Sequence, residues 1–248
     1  MMSHMLTEEN VPAADYVRRE FKIISHLAHG WEMNSAVPLS PSEERTAVRE
    51  PAQAVPDKLA ERLDPLRVLL VPYIACLESG DVICFSKPRG QAHTVAWIET
   101  ESRTNILLAC RELDAHDTGF EFLASVAELM RPRMKAEENE SFSQLLRKEL
   151  EQDVPGEMDK ESLAAKHAFL SARVGRRQNP EKFNQYRDLS LVNTLAEYMH
   201  GLWHDVQIQT GPDHLPLPQL RQRLQWMAKM FPPNPGYEVF SKEITQSE

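Results

Sequence analysis

The chain has 248 residues, enough for one large domain or two small ones with a buried core. Its hydrophobic residues (42%) and charged residues (26%) occur in the proportions of an ordinary globular protein. The formal net charge of −9 argues against a general nucleic-acid binder, because contact with phosphate groups needs a basic surface.

The first predicted element is an N-terminal helix, which occupies residues 1–33. Residues 13–29 place apolar side chains at helical spacing, and Gly30 follows as a C-cap. The next segment, residues 34–56, contains four prolines, so we expect a linker or a loop wrapped over the surface. The remaining residues, 57–248, are predicted to form a single domain.

Four segments rich in β-branched and aromatic residues predict strands between residues 67 and 113. They are RVLLVPYIACLE (67–78), DVICFSK (81–87), HTVAWIE (93–99) and RTNILLACREL (103–113). The turns between them are short, and a parallel crossover needs a dozen or more residues, so we expect a four-stranded antiparallel meander. The first and fourth strands are apolar almost throughout and should be covered on both faces.

Residues 117–231 are predicted to be mostly helical, since capping residues repeatedly precede apolar residues at helical spacing. The longest predicted helix covers about 181–208, and a last helix starts near Pro218. Strands followed by helices indicate the α+β class, with the helical C-terminal half packed on the sheet.

Three candidate site residues lie on the longest predicted helix. At about 100° per residue, Glu197, His200 and His204 fall on one strip beside the apolar stripe. Two histidines at i and i+4, with a carboxylate one turn earlier, can supply three ligands to one metal ion. Glu197 is predicted to be the third ligand, or the general base that deprotonates a metal-bound water. Imidazole and carboxylate ligands favour zinc.

The spacing of this helix strip, Glu197, His200 and His204, resembles that of two metalloprotein families. The H-x-x-x-H pattern is similar to the H-E-x-x-H helix of the zincin metallopeptidases, but Gly201 stands where their catalytic glutamate would be. Carboxylate-bridged di-iron bundles use Glu-x-x-His from two helices, and this chain has one such motif. The resemblance therefore covers the ligand spacing alone.

A second polar cluster, RELDAHD at 111–117, follows the last predicted strand. Functional loops commonly emerge at such a junction, so His116 and Asp117 are predicted to be further metal ligands on the opposite wall of the site. In the alternative interpretation, Asp117 caps the following helix and His116 is exposed to solvent.

These patterns lead to two functional hypotheses of different classes. The first is a metal-dependent hydrolase of the zinc type, with the helix strip as its centre. The alternative is a non-catalytic scaffold or regulatory interaction protein in which the strip serves packing or a polar network. The sequence does not distinguish a small-molecule substrate from a protein substrate.

The remaining features predict compartment and partners. No apolar run approaches the roughly 20 residues that span a bilayer, and the N-terminus lacks the pattern of a secretory signal, so we expect a cytoplasmic protein with no membrane partner. The three cysteines form no CxxC pair. Nucleic-acid binding is not expected, and residues 175–182, GRRQNPEK, are the best candidate for a local contact.

Overall fold

The computed structural model describes residues 10–90, 92–172, 179–204, 206 and 211–240. The described residues form two compact units. The first, called here the sheet unit, takes its residues from Met1–Gln53 and Leu63–Ser125. The second, the helical unit, takes its residues from Ala54–Arg62 and Val126–Glu248.

The sheet unit contains nine strands among the described residues. They are β1 (Asn10–Pro12), β2 (Ser25–His26), β3 (Glu32–Ser35), β4 (Leu66–Val71), β5 (Tyr73–Leu77), β6 (Gly80–Cys84), β7 (Ala92–His93), β8 (Val95–Glu99) and β9 (Thr104–Ala109). An antiparallel small sheet has the order β1-β6-β5-β7, and a mixed sheet has the order β2-β3-β4-β9-β8. In the mixed sheet, β3, β4 and β9 run parallel, whereas β2 and β8 are antiparallel to their neighbours.

The centre of the mixed sheet explains why β4 and β9 are apolar throughout. Every residue of β9 is buried, and five of the six residues of β4 are buried as well. Such continuous apolar strands are typical of positions covered on both faces. The two strands pair in parallel rather than in a meander, because the chain between them, residues 72–103, is long enough for a crossover and builds the β5–β6 hairpin on its way.

The N-terminal segments differ from the prediction in detail. The helix expected over residues 13–29 is limited to α1 (Ala13–Tyr16), and the chain then turns into β2, which pairs with β3. Residues 34–56 contain short helices instead of an extended linker. They are α2 (Pro41–Glu44), a π-helical turn (Arg45–Arg49) and α3 (Glu50–Ala54). The buried small apolar residues of this stretch include Ala47, Val48 and Ala52, and this burial stabilises the helices despite the prolines.

Apart from α4, which the sequence analysis did not predict, the remaining α-helices follow the prediction more closely. They are α4 (Asp57–Ala60), α5 (Ala115–Met130), α6 (Ala136–Glu151), α7 (Lys160–Ser171), α8 (Pro180–Trp203) and α9 (Leu217–Met230). In the helical unit, α8 runs through the core and buries an apolar face that includes Leu195 and Met199. Together with the two sheets, these helices confirm the α+β class. None of the helices in the described stretches is both long and apolar enough to cross a membrane.

The end of α8 depends on a glycine. The helix ends at Trp203, before the expected residue 208, and the chain then folds back so that Val206 lies against Gly201. A Cβ atom at Gly201 would lie 2.7 Å from Cγ2 of Val206, closer than two carbon atoms can pack. Gly201 thus lies where the next segment contacts the helix.

Candidate metal centre

The helix strip predicted from sequence is only partly helical. Glu197 and His200 lie in the last turns of α8, whereas His204 follows the helix with an extended backbone (φ −133°, ψ −179°). Nδ1 of His200 lies 3.6 Å from Oε2 of Glu197, and the centroids of the two histidine rings are 6.1 Å apart. His200 is buried, and the Trp203 ring packs edge-on against it. The strip is thus close in space, and its metal binding stays a prediction. Asp205, a further candidate donor, lies outside the described residues.

The second predicted pair, His116 and Asp117, is brought together with Asp114. One ligand atom from each of these three residues lies within 4.8 Å of the others. The carboxylate of Asp114 is already engaged, because Oδ1 accepts the backbone N–H of Asp117 at 2.8 Å. Asp114 therefore caps α5, the role that one interpretation gave to Asp117. Helix capping by itself accounts for this arrangement.

A third group was not recognised in the sequence. Cys76 on β5 pairs with Asp81 on β6, and His93 on β7 pairs with Ile74 on β5. Side chains alternate between the two faces of a sheet, so Ile74 and Cys76 share one face. Their cross-strand partners His93 and Asp81 lie on the same face. Three neighbouring strands thus place a thiol, a carboxylate and an imidazole side by side.

The ligand atoms of this group, called here the three-strand site, lie within 4.8 Å of one another. Bond lengths of 2.3 Å to sulfur and about 2.1 Å to nitrogen or oxygen put the ligands of a tetrahedral zinc ion about 3.6 Å apart. Side-chain rotations that move the ligand atoms by about 1 Å would bring distances of up to 4.8 Å close to this value. The spacing of the three ligand atoms is therefore within about 1.2 Å of the spacing that a zinc ion needs.

The burial of His93 adds an independent observation. Its Nε2 atom is buried and has no hydrogen-bond partner within the described part of the chain. A buried polar atom without a partner costs about 1–3 kcal/mol, so such atoms in native proteins call for an explanation. A ligand bound at this nitrogen would remove the cost.

The surroundings of the three-strand site are apolar on one side and open on the other. Ile74 and Ile83 share the face of the sheet with the site and are 0% exposed. Cys76 is exposed, whereas Asp81 and His93 are half-buried. An ion at this site would rest at the edge of the apolar core, with solvent reaching it from the Cys76 side.

Comparisons with known proteins give no relative for this chain: no protein-family model, curated protein or solved structure matches it.

The helical unit holds another concentration of charge, the buried ion cluster of Arg223, Glu149, Glu157 and Lys166. Arg223 is 0% exposed and donates to both carboxylates, with Nη2 2.6 Å from Oε2 of Glu149 and Nη1 2.8 Å from Oε2 of Glu157. The hydroxyl of Tyr186 donates to Oε1 of Glu157 at 2.5 Å. Two cations and two anions balance one another, which is the condition for burying charge.

The pKa shifts in the buried ion cluster follow from this pairing. Burial raises the pKa of Glu157, but Arg223, Tyr186 and Lys166 together outweigh burial and hold the pKa below its ordinary value. Burial, reinforced by the Glu157 carboxylate, raises the pKa of the Tyr186 hydroxyl. The glutamate is thus charged and the tyrosine neutral over the physiological range.

Lys166 shows why this cluster is structural. It lines a cavity of about 170 Å³, which would suit a reactive amine. Its ammonium, however, donates at 2.8 Å to the carbonyls of Val154 and Gly156 and lies 3.6 Å from Oε1 of Glu157. The two carbonyls take two of its three N–H donors, and the Glu157 carboxylate pairs with its charge. The cluster therefore joins α6, α7, α8 and α9 to the loop before α7.

Proposed function

We propose that this protein binds a zinc ion through Cys76, Asp81 and His93 and uses it for hydrolysis. The observation that carries the proposal is the convergence of a sulfur, an oxygen and a nitrogen donor from three neighbouring strands. A mixed set of thiolate, carboxylate and imidazole suits zinc, whereas magnesium and calcium prefer oxygen ligands alone.

The number of ligands supports a catalytic rather than a purely structural ion. Structural zinc sites are closed by four protein ligands, and catalytic sites keep one position for water. Zinc lowers the pKa of such a water to about 7, which generates hydroxide at neutral pH. The exposed side of Cys76 gives water and a substrate a path to that position.

The helix strip is the competing location for the same ion. Its favourable observation is the proximity of Glu197 to His200, with 3.6 Å between the nearest ligand atoms. Against it stands the end of α8 at Trp203, since the i, i+4 geometry of His200 and His204 assumes a continuous helix. The two locations share no residue, so variants separate them.

The first test is a metal titration of the full chain, purified without a metal-binding tag and stripped with a chelator. We expect one equivalent of zinc in the wild type and in His200→Gln, and less than a tenth of an equivalent in His93→Ala. Cobalt(II) in the wild type should give a thiolate charge-transfer absorption that Cys76→Ser lacks. Loss of zinc in His200→Gln with retention in His93→Ala would move the site to the helix strip.

The hydrolytic part of the proposal needs its own assay. With p-nitrophenyl acetate as the probe, zinc-loaded wild type should cleave the ester faster than the stripped protein and faster than zinc-treated His93→Ala. Equal rates of ester cleavage in all three samples would contradict the hydrolytic activity. The protein would then bind zinc without catalysis, as the non-catalytic hypothesis holds.

A further inference from the structure

We infer that the zinc ion at the three-strand site is released when a peroxide oxidises Cys76, so that oxidation switches the site off. This inference rests on the proposed function. It depends on where the three cysteines of the chain lie relative to solvent and to one another.

Cys76 differs from the other two cysteines in its access to solvent. It is exposed, whereas Cys84 is 5% exposed, and the Sγ atom of Cys110 lies 3.3 Å from the Val71 carbonyl that it bonds. Burial also raises the pKa of the Cys84 and Cys110 thiols, which disfavours their reactive thiolate forms. A dissolved oxidant therefore meets Cys76 first.

A disulfide to the nearest cysteine along the hairpin is ruled out by geometry. Cys84 pairs with Tyr73, three residues from Cys76 along β5, and this offset puts the two Cα atoms about 10 Å apart. A disulfide needs Cα atoms within about 7 Å. Oxidised Cys76 therefore does not form a bridge to Cys84, and its sulfenic acid is a form that thiols reduce.

The chemical step is a two-electron transfer. The Cys76 thiolate attacks one oxygen of hydrogen peroxide, a sulfur–oxygen bond forms and the oxygen–oxygen bond breaks. The product is a sulfenic acid, and the leaving hydroxide takes up a proton to become water. The sulfur is then no longer an anionic thiolate, and Asp81 and His93 remain as two ligands. Since loss of an outer-shell partner alone weakens metal binding tenfold to a hundredfold, we expect the zinc Kd to rise about a hundredfold or more.

The test uses the zinc-loaded full chain, hydrogen peroxide and a chromogenic chelator that reports free zinc. We expect zinc release from the wild type, dimedone labelling of Cys76 in the same sample, and rebinding after treatment with dithiothreitol. The double variant Cys84→Ala/Cys110→Ala should behave like the wild type. Cys76→Asp replaces the thiol by a carboxylate that peroxide does not oxidise, so the zinc that this variant binds before treatment should stay bound in peroxide.

Three outcomes would decide against the inference. Retention of zinc by wild type whose Cys76 is fully labelled would overturn the switch and leave the zinc site standing. Equal release from Cys76→Asp would show that peroxide acts elsewhere. A wild type that holds no zinc before peroxide is added would overturn the proposed function itself, and the switch with it.

Discussion

Cys76 lies directly opposite Asp81 across the β5–β6 hairpin, so the thiol and the carboxylate project from the same face of the small sheet. His93 reaches that face from β7, on the other side of β5. Replacement of any one of the three side chains by one that cannot bind a metal removes a ligand and leaves the buried Ile74 and Ile83 unchanged in sequence.

Zinc should stabilise the wild type and leave His93→Ala unchanged. An ion that binds only the folded state adds RT ln(1 + [L]/Kd), about 2.7 kcal/mol at a hundredfold excess over Kd. Thermal unfolding with zinc and with a chelator measures this difference. His26→Ala is the matched control, because His26 is an exposed histidine of the same unit and its loss should preserve the zinc shift. A zinc-dependent rise in the unfolding temperature of His93→Ala equal to that of wild type would contradict zinc binding by His93.

Replacement of Arg223 by methionine should destabilise the helical unit by about 3–5 kcal/mol. The substitution leaves Glu149 and Glu157 buried without the guanidinium that both contact. Urea unfolding measures the change, and Arg221→Met on the same helix is the control, with an expected loss below about 1 kcal/mol. A loss no larger than that of the control would show that the buried ion cluster does not hold the unit together.

The stability that Glu157 provides should disappear in acid. Its pKa in the folded protein lies below the ordinary value of 4.5, so it binds fewer protons than in the unfolded chain near that pH. The contribution is therefore complete above about 4.5 and is lost as the pH falls through the folded-state pKa. Urea unfolding measures the free energy of unfolding from pH 7 to pH 3. We expect this free energy to be clearly larger for wild type than for Glu157→Gln at pH 7, and the difference to shrink as the pH falls. The control is Glu161→Gln, a change at an exposed neighbour, whose difference in stability from wild type should not depend on pH in this way. A difference between wild type and Glu157→Gln that grows in acid would contradict the prediction.

Alanine at position 156 should destabilise the protein through a steric clash. Gly156 has a positive φ of 69°, and a Cβ atom there would lie 2.2 Å from the backbone oxygen of His214. Gly236→Ala is the matched control, since its φ of 93° carries the backbone strain while nothing lies within 4 Å. We expect Gly236→Ala to lose about 1 kcal/mol and Gly156→Ala at least about 2 kcal/mol more. Equal losses in denaturant unfolding would mean that the segment around His214 moves aside.

Local patterns in the sequence were sufficient for the class of the fold. The continuous apolar residues of β4 and β9 predicted strands covered on both faces, and the apolar stripe of α9 predicted its packing. Pairing partners are not local. The parallel contact of β4 with β9 depends on the route of the chain between them, which short turns do not reveal.

In the candidate sites, too, local features could be predicted from the sequence and contacts between distant residues could not. The short turn between the first two predicted strands predicted the hairpin that pairs Cys76 with Asp81, but His93 joins them because β7 adds to the outer edge of β5. Arg223 was missed for a similar reason: its partners Glu149 and Glu157 lie 74 and 66 residues away in the chain. In contrast, the prediction of the helix strip assumes an ideal helix that continues through His204, whereas α8 ends at Trp203.

The most direct measurement of the central claim is anomalous diffraction at the zinc edge from crystals of the full chain grown with zinc. We expect one strong peak, about 2.3 Å from Sγ of Cys76 and about 2.0–2.2 Å from a ring nitrogen of His93 and a carboxylate oxygen of Asp81. A peak between Glu197, His200 and His204, or no ordered zinc near the β5–β6 hairpin, would contradict it.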